Sequence, residues 1–407
     1  MKQLKIGFFI QNSRRGGLDT FLINLINNFK TDCNLVIIYN KNHVGIIDYK
    51  KKINRDINYV TYDYLLSQDI NENKILNLLP NYIKKIIRYY LLLSSIIFKP
   101  YYFFKIFEKI NLDRLLIING GYQGGEACNS AAIAWKNFKP KFPAWYSFHN
   151  FAIKNKRLIH LLENIIRNYI DKKIKHSVKG FISVSKVCLK SLNFRKNLYN
   201  IEKKLIYNGL KIEKKFKIKS SNSHLIKKNY HLVMLAVYEE RKGFKFIIKV
   251  IKIITKKINN IKLFIYGDGS EIEKNKILNL IKKEKLEKNI FLYKFTNNNN
   301  KIYKKADLVV IPSQYDEPFG YVAIESFYYK KPVIACKTGG LNEVIIDNSS
   351  GFLVNKNNPK KFAIKIINVL TNINLKKKLV KNGSIRLRRF FTAQNMSQKY
   401  LKLIIND

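Results

Sequence analysis

Short apolar runs recur along this chain, and most are followed by a polar or glycine-bearing turn and then a segment with apolar residues at helical spacing. Leu4 to Ile10 leads through Ser13 to Gly17 into Leu18 to Phe29, which reads as strand, glycine loop and helix. Further runs at Leu35 to Tyr39, Leu115 to Ile118, Ala144 to Phe148 and Gly180 to Val184 lie beside helical stretches. The pattern restarts after a lysine-rich stretch, Lys211 to Asn229, taken as a linker. Strands are expected at His231 to Val237, Lys262 to Tyr266, Asn289 to Tyr293, Leu308 to Ile311, Pro332 to Ala335 and Gly351 to Val354, and a terminal helix at Ala393 to Ile405. The Asn297 to Asn300 run is expected to be a loop. Strands alternating with helices dictate a parallel sheet covered on both faces. Two such halves suit a chain of 407 residues.

Composition narrows the function less than it first suggests. The formal net charge of +48 invites a nucleic-acid reading through phosphate neutralisation. However, Lys, Asn and Ile are spread through turns and helix faces alike, and no aromatic RNP pattern, zinc finger or basic heptad region is present, so no nucleic-acid partner is expected. Cys33, Cys128, Cys188 and Cys336 lie far apart without a CxxC pair, which suits free core thiols in a reducing, cytoplasmic compartment. The apolar stretch Ile6 to Ile10 is too short for a signal-peptide core. Tyr89 to Phe98 falls short of the roughly 20 residues that span a bilayer.

The segment from Pro312 to Ile345, PSQYDEPFGYVAIESFYYKKPVIACKTGGLNEVI, carries the chemistry. Glu317 and Glu325 are separated by seven residues. If Phe319 or Gly320 begins a helix, the N–H groups of its first turn favour a phosphate, with Glu325 about two turns further on the same face. Lys242, followed by Gly243 and Phe244 at another helix start, offers a mobile point charge suited to a departing anion. Gly16 and Gly17 follow the first strand, where glycine lets a phosphate approach the backbone; a plain tight turn explains them equally well. His149 ends a strand in WYSFHN. A lone histidine is more often structural than functional.

Pro312, Ser313, Glu317, Pro318, Phe319, Gly320, Glu325, Lys331, Pro332, Val333, Gly339, Gly340 and Glu343 together resemble the E-x7-E region of retaining glycosyltransferases of family 4, among the group 1 glycosyltransferases. Lys330 stands where that family usually has Gly. Weaker matches follow in order: Gly16 and Gly17, His149, SVSK from Ser183, YNGL from Tyr207, ERKG from Glu240 and YGDGSE from Tyr266.

The resemblance implies an α/β chain of GT-B fold, with two facing Rossmann-like, doubly wound domains and a cleft between them. These would be an acceptor-binding domain over 1–212, a donor domain over 213–388 and a terminal helix over 389–407 packing back on the first domain. It implies a UDP- or GDP-sugar donor, with Glu325 on the ribose, Glu317 on the transferred sugar, and the backbone around Phe319, Gly320, Tyr321 and Val322 on the diphosphate. Lys242, Arg241, Gly16, Gly17 and Gly267 complete the donor site, and His149, catalytic with Lys242 and Glu317, contacts the donor sugar or stabilises developing positive charge through its carbonyl. An arginine common in the family five or six residues before Lys242 is replaced here by Ala236 and Val237. Arg241 is the candidate substitute, although neighbours in an extended loop point apart. The glycine-rich stretch Ile118 to Trp135 is assigned to the acceptor.

No DxD pair is present, so no cofactor and no metal are expected. The segment Pro80 to Ile110, with six Lys or Arg, one Glu and nine aromatic residues, reads as two helices broken at Lys99 and Pro100. Core cover and an anionic membrane surface both suit it. The resemblance favours the membrane, with peripheral attachment to the inner face of the plasma membrane and a lipid-linked saccharide acceptor. Competing readings are a retaining glycoside hydrolase, which needs paired carboxylates but no phosphate site, and a basic RNA-binding or scaffold protein without transferase activity.

Overall fold

A computed structural model describes residues 3–12, 16–67, 70, 75–153, 161–213, 229–296 and 298–406. The chain forms two units, 1–209 with 393–407 and 210–392. Residues 214–228 of the expected linker lie outside the described part.

The first unit is built on a seven-stranded sheet: β1 (Lys5–Gln11), β2 (Asn34–Asn40), β3 (Asn58–Tyr62), β4 (Arg114–Asn119), β5 (Ala144–Phe148), β6 (Val178–Ser183) and β7 (Glu202–Leu205). Their order across the sheet is β3-β2-β1-β4-β5-β6-β7, with every pairing parallel. The second has six: β8 (Tyr230–Leu235), β9 (Ile261–Gly267), β10 (Ile290–Lys294), β11 (Leu308–Ile311), β12 (Val333–Cys336) and β13 (Phe352–Val354). These run β10-β9-β8-β11-β12-β13, again all parallel. The central strands are apolar throughout because helices cover both faces. Phe8, Phe9, Ile37, Ile117, Leu308 and Val309 are fully enclosed.

In each sheet the order in which successive strands are added reverses once, between β1 and β4 and between β8 and β11. Adjacent strands there send their chains to opposite faces, which opens a crevice beyond the carboxyl ends. In unit 1 the loops leaving this point carry Gly16, Gly17 and the stretch after Asn119. In unit 2 they carry Lys242 and Glu317.

Two strands escape the sequence pattern, β3 and β7. Both lie at an edge of their sheet, and their sequences NYVTY and EKKL alternate too weakly to register as half-buried strands. Of the asparagine run expected to be a loop, Asn297 lies outside the described residues and Asn299 and Asn300 begin a helix instead. Asn298 caps the helix Asn299–Lys305, its side chain accepting from the Lys301 N–H at 3.0 Å. All four cysteines are buried and none forms a disulfide. No helix among the described residues is long and apolar enough to cross a membrane.

Lys330, in the usual glycine position, has φ 53°. It closes the helix Tyr321–Tyr328, where the Lys330 and Lys331 N–H groups return to the Phe327 and Ser326 carbonyls. A left-handed residue bearing a Cβ costs about 1–2 kcal/mol. Glycine's extra freedom in the unfolded chain returns only about 0.4–1 kcal/mol. Lys330→Gly is therefore expected to stabilise unit 2 by about 0.5–1 kcal/mol, read as a higher denaturation midpoint in urea with unchanged slope.

Candidate active site

Backbone packing sets the site in unit 2. After β8, residues 240–242 make one 3-10 turn that ends at Gly243 with φ 80°. A Cβ on Gly243 would stand 2.0 Å from the Pro312 carbonyl oxygen, and the Gln314 N–H donates to the Arg241 carbonyl at 3.0 Å. The turn carrying Lys242 thus lies directly on the end of β11. On the other side, Gly339 has φ 47°, and a Cβ there would meet the Glu317 carbonyl oxygen at 2.2 Å. Gly340 donates to that oxygen at 2.6 Å. Three backbone segments meet with no room for a side chain.

Glu317 is held between them and is 8% exposed. Its Oε1 accepts from Lys242 Nζ at 2.5 Å and from Ser313 Oγ at 2.6 Å, and Arg241 Nη1 stands 4.0 Å away. All these contacts fall on Oε1, leaving Oε2 without a hydrogen-bond partner among the described residues. Burial alone would raise the pKa of this carboxyl. The nearby Lys242 charge, the hydrogen bonds from Lys242 and Ser313, and Arg241 outweigh it and hold the group below the usual glutamate range.

Arg241 corrects the sequence expectation. Because the loop is a 3-10 turn rather than extended, Arg241 and Lys242 both reach one carboxylate, with Glu239 steadying the guanidinium at 2.5 Å.

Glu325 sits differently. The helix begins at Tyr321 after Gly320 with φ 117°, so Glu325 stands about one turn along it rather than two. The Val322 N–H precedes the first intrahelical bonds, which run from Ala323 and Ile324 to the Gly320 carbonyl. Phe319 is buried against Tyr321 and Phe391. The Tyr303 hydroxyl donates to Glu325 Oε2 at 2.9 Å and Asn299 Nδ2 to Oε1 at 3.4 Å. Tyr303 is itself clamped by a stack on Tyr329 at 4.5 Å. Burial pushes the Glu325 pKa up to about 7, opposed by the Tyr303 hydrogen bond.

Gly267 has a packing reason for lacking a side chain, since a Cβ would lie 1.9 Å from the Ala236 carbonyl oxygen. Gly16 has none. Its φ is 175°, and the space where a Cβ would go is open. Its N–H donates to Asp19 Oδ2 at 2.8 Å in a capping arrangement at the helix Gly17–Asn27. Asp19 also accepts from Asn12 and from Tyr49, with His43 at 3.2 Å. This cluster, which positions the glycine turn, was missed in the sequence. An acid three residues after a glycine at a helix start was the available signal.

His149, also in unit 1, follows β5. Its N–H is held by the Asn119 and Gly120 carbonyls, and its ring lies on Phe21 at 4.1 Å. Burial pushes its pKa down to about 3, so the imidazole is neutral at neutral pH. In the stretch assigned to the acceptor, Asn119 Nδ2 bonds the Gly121 and Gly124 carbonyls and fixes the turn. No group of three or more potential metal ligands occurs among the described residues.

Two parallel-sheet α/β units, with switch-point loops that gather paired carboxylates, two cations and a helix N-terminus, define a GT-B architecture. Residues 216–386 match the sequence pattern of the family Glycosyl transferases group 1. A poly(ribitol-phosphate) alpha-N-acetylglucosaminyltransferase of Staphylococcus aureus (strain COL) is 32% identical over 163 residues, covering 40% of this chain and 32% of that protein. An uncharacterized glycosyltransferase, MJ1178, of Methanocaldococcus jannaschii is 27% identical over 284 residues, 70% of this chain and 66% of that one. The chain thus matches from a third to just under two-thirds of these relatives' length. Anabaena Alr3699/HepE, solved with UDP and glucose, shares the fold with a TM-score of 0.70 at 16% identity, over 98% of this chain and 99% of that one. Residues 216–386, nearly the whole of unit 2, thus carry the group 1 glycosyltransferase pattern.

The raised Glu325 pKa has a stability consequence. A folded pKa above the unfolded one means that this group's contribution is fully present below about pH 4.5 and is lost as pH rises through 7. Glu325→Gln removes the titration. The variant is expected to exceed wild type in stability by about 1–3 kcal/mol at pH 8, with the gap closing towards pH 4.5, as measured by urea unfolding across that range.

Proposed function

We propose that this chain is a retaining glycosyltransferase that moves a hexosyl or N-acetylhexosaminyl group from a UDP- or GDP-sugar to a saccharide acceptor in cell-surface polysaccharide synthesis. The observation that carries the reading is the convergence of Lys242 and Arg241 on Glu317 at the switch point of unit 2, beside the start of the helix Tyr321–Tyr328. Two cations and a helix N-terminus suit a diphosphate leaving group. A hydrolase needs neither. Arg241 takes the place of the family arginine missing at Ala236 and Val237. Retention follows the resemblance to family 4, and the polysaccharide setting follows the name of another relative, the capsular polysaccharide biosynthesis glycosyltransferase CapM of Staphylococcus aureus, 26% identical over 194 residues, 46% of this chain and 50% of that one.

Each residue then has a task. Lys242 neutralises the charge that grows on the diphosphate as the glycosidic bond breaks, and Arg241 supports it. Glu317 stays ionised, and its open Oε2 accepts from a hydroxyl of the transferred sugar. Glu325 accepts from the donor ribose, so donor affinity rises with pH through 7. With two cations in place, the reaction proceeds without a metal. His149 contacts the sugar from unit 1, where the Gly16–Gly17 turn offers open backbone to the donor.

A screen of UDP- and GDP-sugars, scored by nucleotide release in EDTA, tests this directly. Turnover is expected to persist under chelation, and Lys242→Ala is expected to lose about 100- to 1000-fold in kcat/KM. Loss of Lys242 also leaves Glu317 with only the more distant Arg241, so near-UV circular dichroism must first establish that the variant is folded. Near wild-type turnover by a folded Lys242→Ala protein, or turnover that needs added manganese or magnesium, sinks the corresponding assignment.

The acceptor is proposed to be lipid-linked, with unit 1 resting peripherally on the inner face of the plasma membrane. The helices Asn81–Ile97 and Lys99–Ile110 bury Leu91, Leu92, Phe103 and Phe107 in the core. Outwards, Leu78, Tyr82, Ile86 and Tyr90 follow at four-residue spacing, each more than 60% exposed, and Phe98 and Tyr101 continue the surface. Leu161, Leu162 and Ile165 are likewise exposed on the helix Leu161–Ser177, which packs against the first of these. Exposed apolar rows flanked by Lys84, Lys85 and Arg88 suit the interface of an anionic leaflet. Flotation with anionic liposomes at low salt is expected and should fall with added salt. Replacing Lys84, Lys85 and Arg88 by Gln should weaken it while UDP or GDP binding is kept. Equal failure to float with anionic and neutral vesicles rules the membrane out.

A further inference from the structure

Glu325 lies on the helix Tyr321–Tyr328, but its side chain is steadied from the helix Asn299–Lys305. There Tyr303 is fully buried, and its hydroxyl, which donates to Glu325 Oε2 at 2.9 Å, has no other hydrogen-bond partner among the described residues. Its ring lies flat on Tyr329, with centroids 4.5 Å apart and planes 8° from parallel, and the Tyr329 N–H returns to the Glu325 carbonyl at 2.9 Å. Hydroxyl, stack and helix turn close a loop through Glu325, so the hydroxyl stays on the carboxylate as long as the rings stay stacked. The other oxygen is held far less firmly. Asn299 Nδ2 stands 3.4 Å from Oε1, beyond the ordinary N–H···O range of about 2.7–3.2 Å.

The charged groups of neighbouring elements are bonded elsewhere. Lys331 Nζ reaches the Lys304 carbonyl at 3.4 Å, Lys376 on the helix Ile373–Phe390 lies 3.9 Å from Asp307, and Arg386 on that helix donates to the Glu343 and Val344 carbonyls. The titratable groups that face Glu325 are Tyr303 and Tyr329, and burial raises the pKa of both and keeps them protonated. A protonated tyrosine beside a carboxylate can only donate. The last torsion of a glutamate side chain is broad and roughly two-fold, so a carboxylate tied at neither oxygen would turn freely. One short bond from a clamped ring removes that freedom.

We propose that Tyr303 is a positioning residue of unit 2, which fixes the rotation of the Glu325 carboxylate through Oε2 and leaves Oε1 to accept from hydroxyl groups of a ligand. A hydrogen bond to the charged form favours that form, so the same hydroxyl sets the pH at which Glu325 becomes purely an acceptor. Burial drives the group towards neutrality, and Tyr303 opposes it. Tyrosine does this with a single proton. A lysine in its place would bring three donors to the same lone pairs and compete with the ligand for Oε1. That the ligand hydroxyls are those of a donor ribose rests on the proposed transferase activity; the effect of Tyr303 on Glu325 does not.

Tyr303→Phe keeps the ring and its stack and removes only the hydroxyl. In the full chain, labelled with carbon-13 at its glutamate carboxyls and with Glu325→Gln identifying the signal, the wild-type Glu325 carboxyl is expected to titrate at about pH 7. Its midpoint should rise by about one pH unit in Tyr303→Phe, the worth of one ordinary hydrogen bond. Replacing Tyr303 by 3-fluorotyrosine, a more acidic donor of nearly the same shape, should lower it. UDP or GDP affinity, rising with pH through the same midpoint, should move with it, and in the Glu325→Gln background Tyr303→Phe should shift nothing along the pH axis. An unchanged carboxyl midpoint in a folded Tyr303→Phe protein overturns the inference and leaves Tyr303 a packing residue. An affinity profile that stays in place while the carboxyl midpoint moves overturns it as well, because Glu325 is then not the acceptor. If Tyr303→Phe fails to fold, the 3-fluorotyrosine protein decides in the same way. A protein that binds neither nucleotide but shows both midpoint shifts keeps the role of Tyr303 and loses the transferase reading.

Discussion

The functional half of this molecule depends on backbone packed against backbone. Gly243 lies on the Pro312 carbonyl, and Gly339 and Gly340 lie on the peptide of Glu317 and Pro318. These contacts are closer than any Cβ allows, so three loops from three different strands are held as one surface. The charged side chains inherit their positions from it. Lys242 and Glu317 meet at 2.5 Å because their backbones are already fixed, and the energy of that ion pair is not what assembles the loops. A buried pair is weak support for a fold, since desolvation offsets much of its attraction. Its worth lies in holding a cation and an anion, both desolvated, at the point where the sheet reverses.

Much of this was legible in the sequence, for reasons that can be traced. Strands buried on both faces show as unbroken apolar runs, so β4, β5, β11 and β12 appeared within two residues of their ends. Edge strands give no such signal, and β3 and β7 were lost. The E-x7-E segment could be placed because its glycines and carboxylates sit close together in the chain. The partners of those carboxylates could not. Tyr303 and Asn299 precede Glu325 by more than 20 residues within an asparagine- and lysine-rich stretch that reads as surface. Their contact with it depends on how the helix Asn299–Lys305 lies against the helix Tyr321–Tyr328. The meeting of Ser147 with Tyr400, 253 residues apart, has no local trace at all.

The arginine question shows why local conformation matters more than residue type. Reading Arg241 and Lys242 as neighbours in an extended loop separates their side chains. A 3-10 turn instead rotates successive side chains by about a third of a circle, so two adjacent cations can serve one site. The same 3-10 turn needs a left-handed residue to end it, and Gly243 supplies that residue. One short sequence, ERKG, thus sets both the number of cations and the close approach that places them.

The two glutamates of the motif are driven apart by their surroundings. Glu317 faces two cations and a hydroxyl and is held as an anion. Glu325 faces a tyrosine hydroxyl and an amide, with no cation bonded to it among the described residues, and titrates near neutrality. Carboxylates whose environments separate their pKa values commonly take different roles. Under the proposed function the difference follows from what each would touch. A group beside a diphosphate needs neighbouring positive charge to tolerate the ligand, and that same charge keeps Glu317 ionised whether or not the ligand is bound. A group that grips neutral ribose hydroxyls has no such need. A cation placed beside Glu325 would compete with those hydroxyls for its lone pairs. Among the described residues no cation bonds Glu325, and its burial makes the ionised carboxylate costly as pH rises through 7.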